Sequence, residues 1–317
     1  MTVTRFGIIS TARINRLVLA GARTSDRVEV VAVASRDQAR AEAYAREQGI
    51  DRAYGSYEAL LADPELDAVY ISLPNSMHVE WSIRALEAGK HVLCEKPLTR
   101  RVAEAEQAFD VAERTGRLLM EGFMYRHNPQ TARLSALVAD GAIGALQLVR
   151  AAFSFTVDNP SNIRVIADLD GGALMDVGCY CVSVSRLLAG EPDDVHGTQV
   201  LGEGGVDVRF AATMRFADDV IGQFDCGLDL PSRDELEVIG SEGSLFLDDP
   251  FHCRTPVIEL RRDGDTERVE LEPADSYQLE LENLSDAIRG EAELLLGRAD
   301  AVGQARAIEE LYRSAEA

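Results

Sequence analysis

Lysine is almost missing from this chain of 317 residues: Lys90 and Lys96 are the only two, and every other cation among the 32 Lys and Arg is an arginine. Positive charge of either kind is scarce, since 54 Asp and Glu bring the formal net charge to −22. Such an excess of negative charge repels phosphate backbones and anionic lipid headgroups, so neither nucleic acid nor a membrane surface is expected as a partner. Cysteine is limited to Cys94, Cys179, Cys181, Cys226 and Cys253, an odd number at uneven spacings with no Cys-x-x-Cys pair, unlike a disulfide framework or a zinc site. Reduced thiols in a cytoplasm and no bound metal are the expectation, with Cys179 and Cys181 read as small packing residues of a buried helix. No apolar run reaches the ~18–20 residues of a membrane span, and none follows a basic start as a secretory leader would.

Against these absences stands a hydrophobic content of 46%, enough at this length for two cores. Short apolar runs at 5–9, 28–34, 68–73, 91–94 and 118–121 alternate with helical periodicity at 14–22, 37–48, 78–88 and 102–115. Strands that are apolar on both faces and separated by helices predict a doubly wound parallel sheet, a Rossmann-type α/β domain over residues 1–122. After a helix at 129–140 the pattern turns to alternating strands at 146–157, 206–216, 220–228, 235–239, 244–247, 257–261 and 268–271, with helices at 172–188, 277–289 and 300–315. Residues 123–317 are therefore expected to form an α+β domain on a large, mostly antiparallel open sheet that binds substrate and self-associates.

Ligands of a doubly wound sheet bind beyond the carboxyl ends of its strands, which directs attention to the segments that follow them. After the first strand, Ser10, Ala12 and Asn15 occupy the places of a Gly-x-Gly-x-x-Gly dinucleotide fingerprint. Ser and Ala leave room for a pyrophosphate, so Ser10, Thr11, Ala12, Arg13 and Ile14 are candidate cofactor contacts at a helix N-terminus. The second strand ends in Ser35-Arg36, a hydroxyl and a guanidinium suited to a 2′-phosphate with no carboxylate at the strand's end, which favours NADP over NAD. Further on, Leu73-Pro74-Asn75 leads to His78 at the start of a helix, and Glu95-Lys96-Pro97 follows another strand directly. A residue as rare here as lysine, placed where loops build sites and fixed by a proline, makes Lys96 the strongest single candidate. In the second half, Asp176 and Tyr180 stand four apart on an otherwise apolar helix and so share a face, where buried polar groups need partners. The preceding loop offers Arg164 as a candidate substrate contact.

Taken together, these motifs resemble the Gfo/Idh/MocA oxidoreductases along essentially the whole chain. The resemblance is carried by the first loop, 73–78, Ala88 through Pro97, Glu121 through Arg126, and Gly171 through Tyr180, with the Glu-Lys-Pro stretch the most specific. A tyrosine at 180, where many members have histidine, looks like the branch of NADP-dependent aldose 1-dehydrogenases, dihydrodiol dehydrogenases and ketosugar reductases. The resemblance adds Met124 and Arg126, with Leu73, Pro74, Asn75, His78, Glu95 and Lys96, to the implied cofactor contacts. It also implies that Lys96, Tyr180 and Asp176 carry catalysis and bind substrate, beside the loop candidate Arg164. A tyrosine takes an alcohol proton near neutral pH only if its pKa of about 10 is lowered, which a nearby ammonium would do. The expected protein is an NADP-dependent dehydrogenase of a sugar or cyclic polyol, most simply an aldose 1-dehydrogenase. The rivals are an NADPH-dependent reductase of a nucleotide-linked ketosugar and a non-catalytic NADP-binding sensor. A homodimer or homotetramer through the open sheet face is the expected assembly.

Overall fold

Strands β1 (Thr4–Ile9), β2 (Val28–Ala34), β3 (Arg52–Tyr54), β4 (Ala68–Ile71), β5 (His91–Glu95) and β6 (Leu119–Gly122) form one parallel sheet in the computed structural model, which describes residues 3–316. Their order is β3-β2-β1-β4-β5-β6, so the direction of winding reverses between β1 and β4. That reversal opens a crevice beyond the carboxyl ends of these two neighbouring strands. Phe6, Ile8, Ile9, Val69, Tyr70 and Ile71 are fully buried, as a sheet covered on both faces requires. The connections run through α1 (Asn15–Thr24), α2 (Gln38–Gln48), α3 (Tyr57–Leu61), α4 (His78–Glu87) and α5 (Val102–Thr115). The short pair β3 and α3 had no counterpart in the sequence pattern.

The assignment of all residues from 123 onward to a second domain needs correction. The compact unit built on the parallel sheet runs to Met124 and also takes in Asp275–Val302. Within it, α8 (Ser276–Ile288) packs on α1 so closely that a Cβ on Gly21 would lie 2.6 Å from the Gln278 backbone nitrogen. The Ser285 hydroxyl pairs with Thr4 Oγ1 at 2.6 Å, and Arg27 reaches Asp286 at 2.8 Å. These contacts join residues far apart in sequence, so neither periodicity nor composition marks them.

The second unit, Tyr125–Ala274 with Gly303–Ala317, holds α6 (Pro129–Ala139), β7 (Leu146–Thr156) and α7 (Cys179–Ala189). Its remaining strands are β8 (Asp194–Leu201), β9 (Asp207–Arg215), β10 (Ile221–Gly227), β11 (Asp229–Gly240), β12 (Ser244–Asp248), β13 (Val257–Arg262) and β14 (Asp265–Glu270). Eight strands pair in the order β14-β13-β12-β11-β7-β10-β9-β8, antiparallel except for β7 and β10. Period-two burial along β9 turns Phe210, Ala212 and Met214 inward and leaves Ala211, Thr213 and Arg215 on the open face. The last helix, α9 (Arg298–Ala315), crosses from one unit to the other, and in the second its Gln304 side chain donates to the Cys179 carbonyl at 2.8 Å. Residues 167–189 are long and apolar enough to pass for a membrane span by composition, but 78% of their most apolar 18-residue window is buried in the protein.

Candidate active site

At the switch point the loop after β1 is locked by a closed ring of side chains. Ser10 adopts φ 138°, a conformation natural to glycine, and its hydroxyl contacts Ser72 Oγ beyond β4 at 2.7 Å while accepting from the Ala12 backbone nitrogen at 3.0 Å. Ser72 donates in turn to Asn15 Oδ1 at 2.6 Å, and Asn15 Nδ2 returns to the Ser10 carbonyl at 3.1 Å. Asn15 is fully buried, so two of the residues that depart from the glycine fingerprint, Ser10 and Asn15, are the ones that build the ring with Ser72. Among the described residues no acceptor engages the backbone N–H groups of Thr11, Arg13 or Ile14, and α1 has no side-chain cap. Open donors at the positive end of a ten-residue helix, behind small side chains, fit a dinucleotide diphosphate.

Beyond β2 the structure adds a residue that sequence reading did not single out. Arg40 donates from Nε to Thr11 Oγ1 at 2.9 Å, tying α2 to the phosphate loop. Burial raises the Tyr57 phenol, and the positive charges of Arg36 and Arg40 both oppose that rise. The neighbouring carboxylate of Asp37 is committed to capping α2, accepting from the Arg40 backbone nitrogen at 2.7 Å. Ser35 is buried with its N–H on the Tyr54 carbonyl at 3.0 Å. Two exposed arginines and a withdrawn carboxylate fit a 2′-phosphate. The only sequence signal for Arg40 was its i, i+4 spacing from Arg36.

The Glu95-Lys96-Pro97 turn is held from below. Its Lys96–Pro97 peptide is cis. The Tyr70 hydroxyl donates to Glu95 Oε1 at 2.5 Å, so Glu95 is anchored on the neighbouring strand rather than directed to the surface. The buried Glu121, also absent from the sequence candidates, accepts from the Leu98 backbone nitrogen at 2.7 Å. His78 is 1% exposed, and its ring nitrogens meet the carbonyls of Pro97 at 2.9 Å and Leu73 at 2.8 Å. Its imidazole therefore staples the loops after β4 and β5 together, setting Leu73, Pro74 and Asn75 against the Lys96 turn. Lys90 is consumed structurally: its ammonium donates to the Asp63 and Leu66 carbonyls at 2.6 and 2.9 Å, and burial lowers its pKa.

In the second unit the expected regular helix over 172–188 differs at its start. Leu174–Gly178 form a π-helical turn that leads into α7. The buried Asp207 carboxylate receives the Leu174 backbone nitrogen at 2.7 Å and the Tyr312 hydroxyl at 2.8 Å, and burial pushes its pKa up to about 6. At the other end of the turn, a Cβ on Gly178 would stand 2.7 Å from Cys226 Sγ. The widened turn carries Asp176, whose carboxylate takes Arg164 Nε at 2.7 Å. Asp176 and Arg164, proposed separately from sequence, are thus one ion pair, with Arg164 lying over Phe155 at 5.8 Å. Tyr180 opens α7 with its ring, 7% exposed, against Tyr125, Phe153 and Phe251 at centroid distances of 5.8, 5.4 and 5.4 Å. Met124, at the end of the first unit, is buried, while Arg126 belongs to the second and donates to Ser183 Oγ at 3.4 Å.

Residues 4–123 match an oxidoreductase family with an NAD-binding Rossmann fold, GFO/IDH/MocA, and residues 131–246 match a GFO/IDH/MocA C-terminal domain. The chain is 41% identical to a D-xylose 1-dehydrogenase (NADP(+)) of Haloferax volcanii, over 98% of this chain and 97% of the other. It is 33% identical to a trans-1,2-dihydrobenzene-1,2-diol dehydrogenase of Danio rerio over 80% of this chain and 77% of that one. The solved structure of a 3-ketoreductase from Actinomadura kijaniata in complex with NADP and TDP-benzene superposes with a TM-score of 0.92 at 31% identity, covering 99% of this chain and 98% of that one.

Proposed function

Because the chain belongs to the GFO/IDH/MocA family of oxidoreductases, we propose that it is an NADP-dependent dehydrogenase that oxidises a CH–OH carbon of a sugar or cyclic polyol, with aldose 1-oxidation as the leading reaction. The observation that carries this reading is the pairing of an open phosphate loop with two arginines beside a carboxylate withdrawn into a helix cap. Bound NADP supplies the hydride acceptor. The Thr11, Arg13 and Ile14 amides would hold its diphosphate, and Ser35, Arg36 and Arg40 would hold its 2′-phosphate. Tyr180 takes the hydroxyl proton of the substrate, and the Lys96 ammonium favours the phenolate and hydrogen-bonds the reacting oxygen. Asp176 is turned toward Arg164, so these two orient substrate as a pair rather than separately. The tight aromatic packing around Tyr180 keeps water from its ring.

The similarity to a 3-ketoreductase crystallised with TDP-benzene supports a second reading, reduction of a nucleotide-linked ketosugar with Tyr180 as the acid. A substrate panel separates the two. NADPH formation from free aldoses supports the first, and NADPH consumption with nucleotide-linked ketosugars alone replaces it by the second.

The same reading includes a homodimer formed through the open sheet face and a cytoplasmic setting, with all five cysteines unpaired and buried. That face carries Arg150 near Glu237 and Arg233 near Asp225, charges of both signs that a two-fold axis would make self-complementary. Sedimentation of the wild type and of Thr213→Arg tests it: a dimer that the substitution splits is expected, and a monomeric wild type overturns the assignment.

A further inference from the structure

Close to Tyr180 lies a polar cluster that no step above uses. Phe153, whose ring meets Tyr180 at 5.4 Å, also stacks on Phe251 at 5.3 Å and receives the edge of His252 at 5.4 Å and 76°. Asp234 sits directly across from Phe153 in the β11–β7 register. His252 is held by carboxylates: its Nδ1 is 2.6 Å from Asp234 Oδ2 and 3.3 Å from Asp249 Oδ1. Both carboxylates accept, and the Arg254 Nη2 donor stands at 3.5 Å from the same nitrogen against 2.6 Å for Asp234, so Nδ1 carries the proton and Nε2 points away from them. Among the described residues Nε2 makes no hydrogen bond, and the side chain is 40% exposed.

The segment that carries His252 is rigid. Asp249, at φ 69°, donates its N–H to the Asp234 carbonyl at 2.7 Å, and the Phe251 N–H reaches Asp234 Oδ1 at 3.3 Å. Arg254 clamps the Asp249 carboxylate through its backbone nitrogen at 2.6 Å and its Nη2 at 2.5 Å. The three potential ligand atoms of Asp234, Asp249 and His252 lie within 4.8 Å of one another, which suggests a cation site at first sight. That role is already filled, because the guanidinium neutralises Asp249, and the Nδ1 lone pair is replaced by a proton. What remains is an imidazole with one fixed orientation, one open nitrogen and an aromatic wall shared with Tyr180. Such a group recognises a hydroxyl.

We propose that His252 is a specificity-determining residue whose Nε2, oriented by Asp234 and Asp249, hydrogen-bonds a sugar hydroxyl other than the one oxidised. This rests on the assignment of Tyr180 to the reacting oxygen. A site built to pair with a hydroxyl rejects the analogue lacking it far more strongly than an apolar wall can select for size.

The experiment compares kcat and KM for aldopyranoses and their singly deoxygenated analogues in wild type, His252→Phe, His252→Gln and Tyr180→Phe. Wild type should disfavour one deoxy analogue by about tenfold or more in kcat/KM, and His252→Phe should erase that one discrimination through KM, leaving kcat within about threefold. His252→Gln, which keeps a polar end, should recover part of it. NADPH titration and a melting curve confirm that the variants are folded. Unchanged discrimination in His252→Phe against every analogue overturns the proposal, as does loss of wild-type activity on chelation by EDTA, which would make the cluster a metal site. A Tyr180→Phe enzyme with normal turnover removes the reading of the reacting centre instead, while the His252 selectivity remains measurable in that variant.

Discussion

The Ser72 hydroxyl donates to Asn15 Oδ1 at 2.6 Å, and through this bond the carboxyl end of β4 fixes the loop that follows β1. The two strands are neighbours at the switch point, so one buried amide holds both lips of the crevice. Asn15 stands where a dinucleotide fingerprint has glycine, yet here it bonds Ser10 and Ser72 at once. Asn15→Gly, which restores the last glycine of the fingerprint, should therefore weaken NADP binding. Losing two buried hydrogen bonds and leaving Ser10 unsupported at φ 138° is expected to raise the Kd by about tenfold, in line with ~1–3 kcal/mol for an unsatisfied buried group. Fluorescence titration of NADPH checks this, and tighter binding by the glycine variant would show that the ring is incidental.

Cofactor choice should depend on two arginines. Arg36→Ala and Arg40→Ala are each expected to lower the preference for NADP over NAD by about tenfold or more, the scale of a charge-assisted hydrogen bond. Arg40→Ala should also weaken NAD slightly, because Arg40 steadies Thr11 in the phosphate loop, whereas Arg36→Ala should leave NAD unchanged. Parallel titrations of both cofactors provide the measurement. Equal wild-type affinity for NAD and NADP would refute the reading of this strand end.

Much of this architecture could be read from the residues, and the gaps have physical causes. Strands β1, β2, β4, β5 and β6 announced themselves as apolar runs because both faces of that sheet are buried. Strand β3 has three half-buried residues, and β8 is an edge strand with only Val195 fully buried, so neither has an apolar signature. Helix α8 was visible as a helix, but its place against α1 depends on the close approach at Gly21, which periodicity cannot show. Lys96 stood out because lysine is so rare, and Asp176 and Tyr180 because polar groups interrupt an apolar helix. Arg40, Glu121 and His252 were hidden, since each acts through partners distant in sequence or held in irregular loops.

Stability should respond to pH through Asp207. Burial raises its folded-state pKa to about 6 from 3.8, so the native state holds this proton more tightly than the unfolded chain. The associated stabilisation is complete below the unfolded value and is lost as pH rises through the folded one. Asp207→Asn cannot titrate, so its stability relative to wild type, followed by thermal melting, should be higher at pH 8 than at pH 4 by an amount on the order of 2–3 kcal/mol at 1.36 kcal/mol per unit. The difference between the two proteins is the quantity to follow, because acid also protonates His91 and His127. Burial lowers these to about 4 and about 3, and their charging destabilises both proteins alike. A difference in melting temperature that does not vary with pH would show that Asp207 does not titrate in this window.

The last expectation is that Lys96 and Tyr180 serve one proton-transfer event. Each contributes a different element: the lysine follows β5 in a turn held by Tyr70, Glu121 and His78, and the tyrosine leads α7 out of the π-helical turn. If the ammonium acts by favouring the phenolate, removing either group removes the same function. Lys96→Met and Tyr180→Phe should then each lower kcat by roughly 10²–10⁴, the range of a general acid–base, and the double variant should be little worse than either. NADP affinity should hardly change, since neither residue is assigned to the diphosphate or the 2′-phosphate. Residual Lys96→Met activity should rise at higher pH than wild-type oxidation does, because an unassisted phenol ionises only near its ordinary value of about 10. Multiplicative losses in the double variant would assign the two residues to separate steps, and an unshifted pH profile in Lys96→Met would confine the lysine to holding substrate.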